Sequence, residues 1–179
     1  PGTELLGAAA LRSTYEALVA VGASGKAGEV TRVPAPAKAG VASIIAVGLG
    51  NPEEVDDETL RRAAGQAARS ITKVGAVATS LGDFGISPVV EGLILGGYKY
   101  SGLRSESAAE TTTYTVVAEK SAQKEFDSAK IVAESVLIAR DLVNTPSNLL
   151  YPETYAAFLS AQAAEAGLEV EVLDEKTLE

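Results

Sequence analysis

The sequence contains no histidine, cysteine, methionine or tryptophan. Without histidine or cysteine there is no Ser-His-Asp triad, no thiol nucleophile, no disulfide and no zinc site of the usual His/Cys kind. With no methionine and Pro1 in first place, a processed protein or a piece of a longer one is expected. Long apolar runs are also missing. None approaches the ~20 residues needed to span a bilayer, and no signal peptide is visible. Positive charge is in the minority, 15 Lys+Arg against 24 Asp+Glu, for a net charge of −9. A surface of that sign repels nucleic acid and anionic membranes. A soluble, cytoplasmic chain with no nucleic-acid and no membrane partner is therefore expected.

The 179 residues suit one domain, or one domain and the beginning of another. With 46% apolar residues, the chain has enough material for a real core. Leu11, Tyr15, Leu18 and Val19 stand at helical spacing. Glu29 to Val33 reads as a strand ended by Pro34-Ala35-Pro36, and Val41 to Gly48 (VASIIAVG) as a central strand covered on both faces. Next comes the clearest helix, at about 57–71. Asp56, Asp57 and Glu58 favour its positive N-terminal end, and Leu60, Ala63, Ala64, Ala67, Ala68 and Ile71 share one face. Val74 to Thr79 is a further strand. Ser87 and Pro88 read as N-cap and N1 of a third helix, with Val89, Val90, Leu93 and Ile94 inward.

Thr112 to Ala118 is β-branched and reads as a strand. The segment from Glu125 to about Val143 reads as a long helix with Phe126, Ala129, Val132, Ala133, Val136, Leu137 and Val143 inward, stopped by Asn144-Thr145-Pro146. A last helix from Pro152 would turn Tyr155, Phe158, Leu159 and Ala163 inward and end at Gly167 as C′. Leu168 to Leu173 (LEVEVL) alternates like a strand with one wet face. Alternating strands and helices predict an α/β fold, a three-layer sheet, largely parallel, with helices on both faces.

Several short motifs invite a chemical reading. The strand running into Gly48-Leu49-Gly50-Asn51 begins as a phosphate-binding loop does. Glu53 stands where the fingerprint needs a further glycine, and with Glu54 it would repel a phosphate, so a plain turn is favoured. Asp83-Phe84-Gly85 spells a kinase motif without its companions and reads as a surface turn. The acidic run Glu53 to Glu58 lacks the glycine and the twelfth-position glutamate of a calcium loop, and a helix-start charge cluster explains it. Lys99, Tyr100 and Arg104 could touch a phosphate or a partner, or could snorkel from a loop. Nothing ties Glu110, Glu119 or Asp141 into an acid/base pair.

Two stretches say more. In ARDLVNTPSNLLYPETY (139–155), Arg140, Leu142, Val143, Asn144, Thr145, Pro146 and Asn148 fit the pattern Arg-x-Leu-Val-Asn-Thr-Pro-x-Asn. Glu91-Gly92-Leu93-Ile94-Leu95-Gly96-Gly97-Tyr98 fits Glu-Gly-x-x-Leu-Gly-x-Tyr. In both, the chain resembles the leucine aminopeptidase (cytosol aminopeptidase) family, over about residues 41–179. Tyr151 departs from the threonine usual before Pro152, which predicts a weaker helix cap. The resemblance implies a macro-domain-like fold for residues 1–145, closed by a linking helix at about 125–143, and the first helix and strand of a catalytic domain at 146–179. It implies a parent enzyme that releases N-terminal residues, commonly leucine, from peptides. Two divalent cations, manganese or zinc, would do its chemistry, and the parent would be a homohexamer, with the chain's own catalytic domain as its partner. The family's lysine and carboxylate metal ligands lie in motifs such as Gly-Lys-Gly and Asp-x-x-Gly-Gly, and none occurs here. Gly25-Lys26-Ala27 lies far upstream of where they belong. No catalytic, cofactor or metal residue is therefore assigned. A non-catalytic N-terminal domain is the leading expectation. The alternatives are a macro-domain-like module binding ADP-ribose or a nucleotide at Gly48 to Asn51, and a purely structural or oligomerisation domain.

Overall fold

The computed structural model describes residues 5–37, 39–102 and 112–178. The chain divides into two compact units, Pro1–Ile138 and Ala139–Glu179. In the first, α1 (Ala8–Ala20) packs on β1 (Val30–Pro34), which pairs antiparallel with β2 (Ser43–Val47), Val30 opposite Val47. Helix α2 (Asp57–Ser70) follows, then β3 (Ala76–Thr79), α3 (Ile86–Gly97) and β4 (Thr113–Val116), with β3 and β4 parallel, Ala76 beside Thr113. The fold is thus a mixed α/β one. The described strands form two separate pairs, and β2, read as central, has β1 as its only neighbour in its sheet. Its residues are all half-buried, which explains the unbroken apolar run without a strand on each side.

The core lies between α2 and α3. All six residues assigned to the inner face of α2, Leu60, Ala63, Ala64, Ala67, Ala68 and Ile71, are buried. Val89 and Leu93 of α3 meet Leu60, Ala64 and Ala68, and Leu49, Val55, Leu81, Tyr114 and Val116 pack around them. A second cluster joins Ile86 and Val90 to Ala129 of α4 (Gln123–Asn144), flanked by Ile94 and Phe126.

Three expectations are corrected in this unit. Helix α3 has Gly85, not Ser87, at its N-cap. Ser87 sits in the first turn, where its N–H and hydroxyl both donate to Glu125 Oε1 at 3.0 and 2.9 Å. A carboxylate from α4 thus does the work expected of a serine cap. Of the residues placed inward on α4, Ala129 and Ala133 are buried, and Val132 and Val136 are exposed, because they stand on the flank of the Phe126–Ala129–Ala133 face. The described strands form two pairs, one antiparallel and one parallel, in place of a single largely parallel sheet.

In the unit Ala139–Glu179, α4 ends at Asn144, and α5 (Pro152–Glu165) and a short α6 (Glu175–Leu178) follow. Gly167 takes φ 72°, and Leu168 N–H donates to Ala163 O at 2.9 Å, the Schellman closure expected of a C′ glycine. No described residue of this unit is buried. Val143, Tyr155 and Leu159, expected inward, are exposed, and so is Leu168 to Leu173, which forms no strand among the described residues. Some forty residues are too few to enclose a core, and an alternating segment becomes a strand only when a neighbour takes its N–H and C=O groups.

Candidate functional site

The family-like helix α3 sits against α2 through glycine. A Cβ on Gly92 would collide with the Arg61 carbonyl and stand 2.8 Å from Ala64 Cβ. A Cβ on Gly96 would collide with the Gly65 carbonyl and stand 2.5 Å from Gly65 Cα. Gly65, Gly92 and Gly96 therefore let two backbones touch. Beside this seam, Glu91 accepts from Arg61 Nε at 2.7 Å, and the same guanidinium donates to Glu58 at 2.7 Å. Glu91 is 20% exposed and Arg61 33%, so water screens this pair only in part. Glu58 also accepts from Arg62 at 2.6 Å. Glu91, the one acid in the motif, is thus a helix-to-helix tie.

The glycine turn proves to be a junction between two loops. Gly48 N–H donates to Glu29 O at 2.7 Å, Gly28 N–H to Gly48 O at 2.8 Å and Gly50 N–H to Gly25 O at 3.0 Å. A Cβ on Gly48 would strike the Lys26 carbonyl. Asn51 caps the following turn, its Oδ1 accepting from Glu53 N–H at 3.3 Å. These donors, which a phosphate would need, are spent on the chain itself. The side chain beside them is an acid: Glu29 accepts from the Ser24 N–H and hydroxyl, the latter at 2.8 Å.

The remaining motifs resolve the same way. Asp56 caps α2, accepting from Thr59 N–H at 2.8 Å and from its hydroxyl at 2.6 Å. Asp83 ends a 3-10 turn, Phe84 is half exposed, and Gly85 starts α3. The Glu119 carboxylate accepts a long 3.4 Å bond from the Ser121 hydroxyl. Lys99 is exposed, and Arg104 and Glu110 lie outside the described residues. Among the described residues, no three His, Cys, Asp or Glu side chains are grouped to hold a metal ion.

The second motif is a stop and restart of helix. The Thr145 hydroxyl donates back to Asp141 O at 2.7 Å, and Leu149 and Leu150 N–H both donate to Pro146 O at 2.9 Å. At the restart, Thr154 Oγ1 accepts from Tyr151 N–H at 3.0 Å. The reach-back from N3 supplies half of a capping box and offsets the missing threonine at 151. Sequence reading missed the Gly65–Gly92–Gly96 seam and the Glu125 cap, since each pairs residues far apart in the chain.

Charge at the α2 start has a testable consequence. The Thr59 hydroxyl, then its N–H, hold the Asp56 carboxyl below its ordinary range, and Arg62, then Arg61, do the same for Glu58. A carboxyl with a lowered folded-state pKa stabilises fully above its unfolded pKa and loses that contribution as pH falls through the folded value. Melting temperature is expected to be flat from pH 7 to about 5 and to fall below about 4. Asp56→Asn keeps a good cap but cannot titrate, so its melts should fall less steeply. Equal slopes for the two proteins would count against this assignment.

A family model described as the N-terminal domain of the cytosol aminopeptidase family matches residues 6–107. A probable cytosol aminopeptidase of Corynebacterium diphtheriae is 52% identical over 170 residues, covering 92% of this chain and 34% of the relative. One from Nocardia farcinica is 48% identical, covering 90% and 34%. Among solved structures, the bottromycin maturation enzyme BotP superposes with a TM-score of 0.81 at 26% identity, covering 90% of this chain and 36% of that one. Tomato leucine aminopeptidase superposes with a TM-score of 0.77 at 22% identity, covering 99% and 37%, a likeness of fold. The chain spans about a third of the length of the curated relatives it matches.

Proposed function

Because this chain belongs to the cytosol aminopeptidase family, whose N-terminal domain it matches, we propose that it is the non-catalytic N-terminal part of a two-metal aminopeptidase releasing N-terminal residues, commonly leucine, from peptides. Residues 1–145 form the macro-like domain with its linking helix, and 146–179 begin the catalytic domain. The protein is cytoplasmic. Its partners are its own catalytic domain and, in the parent, the other subunits of a homohexamer. The observation that carries this reading is the use of the family-like motifs: Glu91, Gly92 and Gly96 fasten α3 to α2, and Thr145 and Pro146 turn the chain. None of these side chains is left over for chemistry.

One neighbour, BotP, has been solved in complex with Mn. A pair of manganese or zinc ions would supply the parent with an activated water and a polarised carbonyl. Among the described residues no donor set for them is grouped, and on this reading the parent's catalytic domain holds them. ADP-ribose binding at Gly48 to Asn51 is disfavoured by the spent donors and by Glu29, Glu53 and Glu54.

In the parent enzyme, Glu91→Gln is expected to leave kcat and KM within about twofold and to lower the melting temperature by a few degrees, as loss of one half-buried ion pair does. A fall in kcat of tenfold or more at unchanged melting temperature would overturn the structural assignment of Glu91.

A further inference from the structure

A hollow of about 260 Å³ opens between α1 and the β1–β2 hairpin. Leu18 and Val19 form its helix side, Ala46 and Val47 its strand side. Thr31 pairs with Ala46 across the hairpin, so the two side chains share a face and Thr31 adds a hydroxyl to the wall. Glu29 is the one charged residue among the described ones that line it. An apolar recess with a few convergent polar groups is the usual form of a small-molecule site.

Hydrogen bonds satisfy Glu29 in part and do not neutralise it. Its Oε2 accepts from the Ser24 hydroxyl at 2.8 Å and the Ser24 N–H at 2.9 Å, and its Oε1 takes the longer branch of that N–H at 3.1 Å. Both donors are uncharged. The Ser24 hydroxyl first, then N–H groups of the same loop, hold the carboxyl below its ordinary range, so the group is an anion at neutral pH. No described lysine or arginine forms an ion pair with it. A carboxylate has about four acceptor positions, and Oε1 has room for a further donor.

Size and charge together name the occupant. The space admits one branched aliphatic side chain, and the carboxylate at its edge calls for a cation that donates hydrogen bonds. No cationic residue among the described ones lines the hollow to receive a second carboxylate. A free amino acid brings one; the first residue of a peptide does not, because its carboxyl group is tied in the peptide bond. We infer that this hollow binds an aliphatic primary ammonium that carries no carboxylate of its own, the chemistry of a peptide's first residue, with the ammonium on Glu29 and the side chain between Leu18, Val19 and Ala46. The site holds a peptide end and does not cut it. It stands on this geometry alone, apart from the catalytic reading above.

Titration of the ¹⁵N-labelled 179-residue chain with leucinamide to about 20 mM, followed by amide NMR shifts, tests it. Saturable shifts are expected at Ser24, Gly25 and Thr31, with a dissociation constant of about 1–10 mM, as suits so small a ligand. N-acetyl-leucinamide, which lacks the charge, and leucine, which adds a carboxylate, should each bind about tenfold more weakly or not at all. Glu29→Gln should abolish the shifts, with thermal melts reporting that the fold is kept. Val19→Trp, which fills the mouth from an exposed position, should abolish them too and serves if the first variant does not fold. The inference is overturned by the absence of saturable shifts in the native chain. Equal binding of either control ligand, or leucinamide binding that a folded Glu29→Gln or Val19→Trp leaves unchanged, overturns it as well.

Discussion

Replacing Gly96 with alanine is expected to cost about 2 kcal/mol of folding stability and to lower the melting temperature by about 4–8 °C. Alanine ordinarily improves a helix, by up to about 1 kcal/mol over glycine. Here that gain is outweighed, because the added methyl would meet the Gly65 backbone, which cannot rotate away as a side chain could. Gly92→Ala should behave alike, driving α3 off the Arg61 carbonyl. Gly97, one residue on, has nothing within 4 Å of its would-be Cβ, so Gly97→Ala should be neutral or stabilising. Thermal melts of the three variants make the comparison internal. If all three melted alike, the close seam between α2 and α3 would be wrong.

A second large effect is expected at Leu60. It is 2% exposed and touches the centre of the α2–α3 core, with Val89 and Leu93 across from it. The neighbours on its own helix are alanines, Ala64 and Ala68, with no side-chain freedom to fill a void. Leu60→Ala is therefore expected at the middle of the usual 2–5 kcal/mol range, about 3 kcal/mol, or a drop of about 6–12 °C. Urea unfolding should show a lower midpoint at an unchanged slope, the sign of lost stability and not of a changed denatured state. A midpoint within about 0.2 M of native would mean that Leu60 is not in the core.

How far the sequence was legible follows from where each signal came from. Helix α2 was readable because its alanines repeat at the helical period, and all of them are buried. The cap at Gly167 and the stop at Asn144 were readable because Gly and Pro act locally. What could not be read depended on a distant partner. Glu125 reaches α3 from 38 positions away in the chain and moves the helix start from Ser87 to Gly85. Gly92 and Gly96 read as a family signature, and their cause, Gly65 on another helix, has no sequence mark of its own. The LEVEVL segment carries a correct alternation, yet alternation describes which face is wet and not whether a neighbour exists. The apolar residues of α5 likewise announce a core that forty residues do not enclose.

The candidate site was legible in a different sense. Missing companion motifs and the helix dipole pointed to ordinary roles for Asp83-Phe84-Gly85 and the acidic run at 53–58, and Asp56 and Glu58 do have them, as cap and ion-pair partner. The family resemblance rested on residues whose work is structural, which sequence could identify but not explain.

We propose that this chain carries none of the peptidase chemistry of its family. The most direct test is hydrolysis of leucine p-nitroanilide by the purified 179-residue chain, supplied with manganese or zinc. The account predicts no release above the buffer rate at any protein concentration. Release that scales with protein concentration and stops on adding a metal chelator would contradict it.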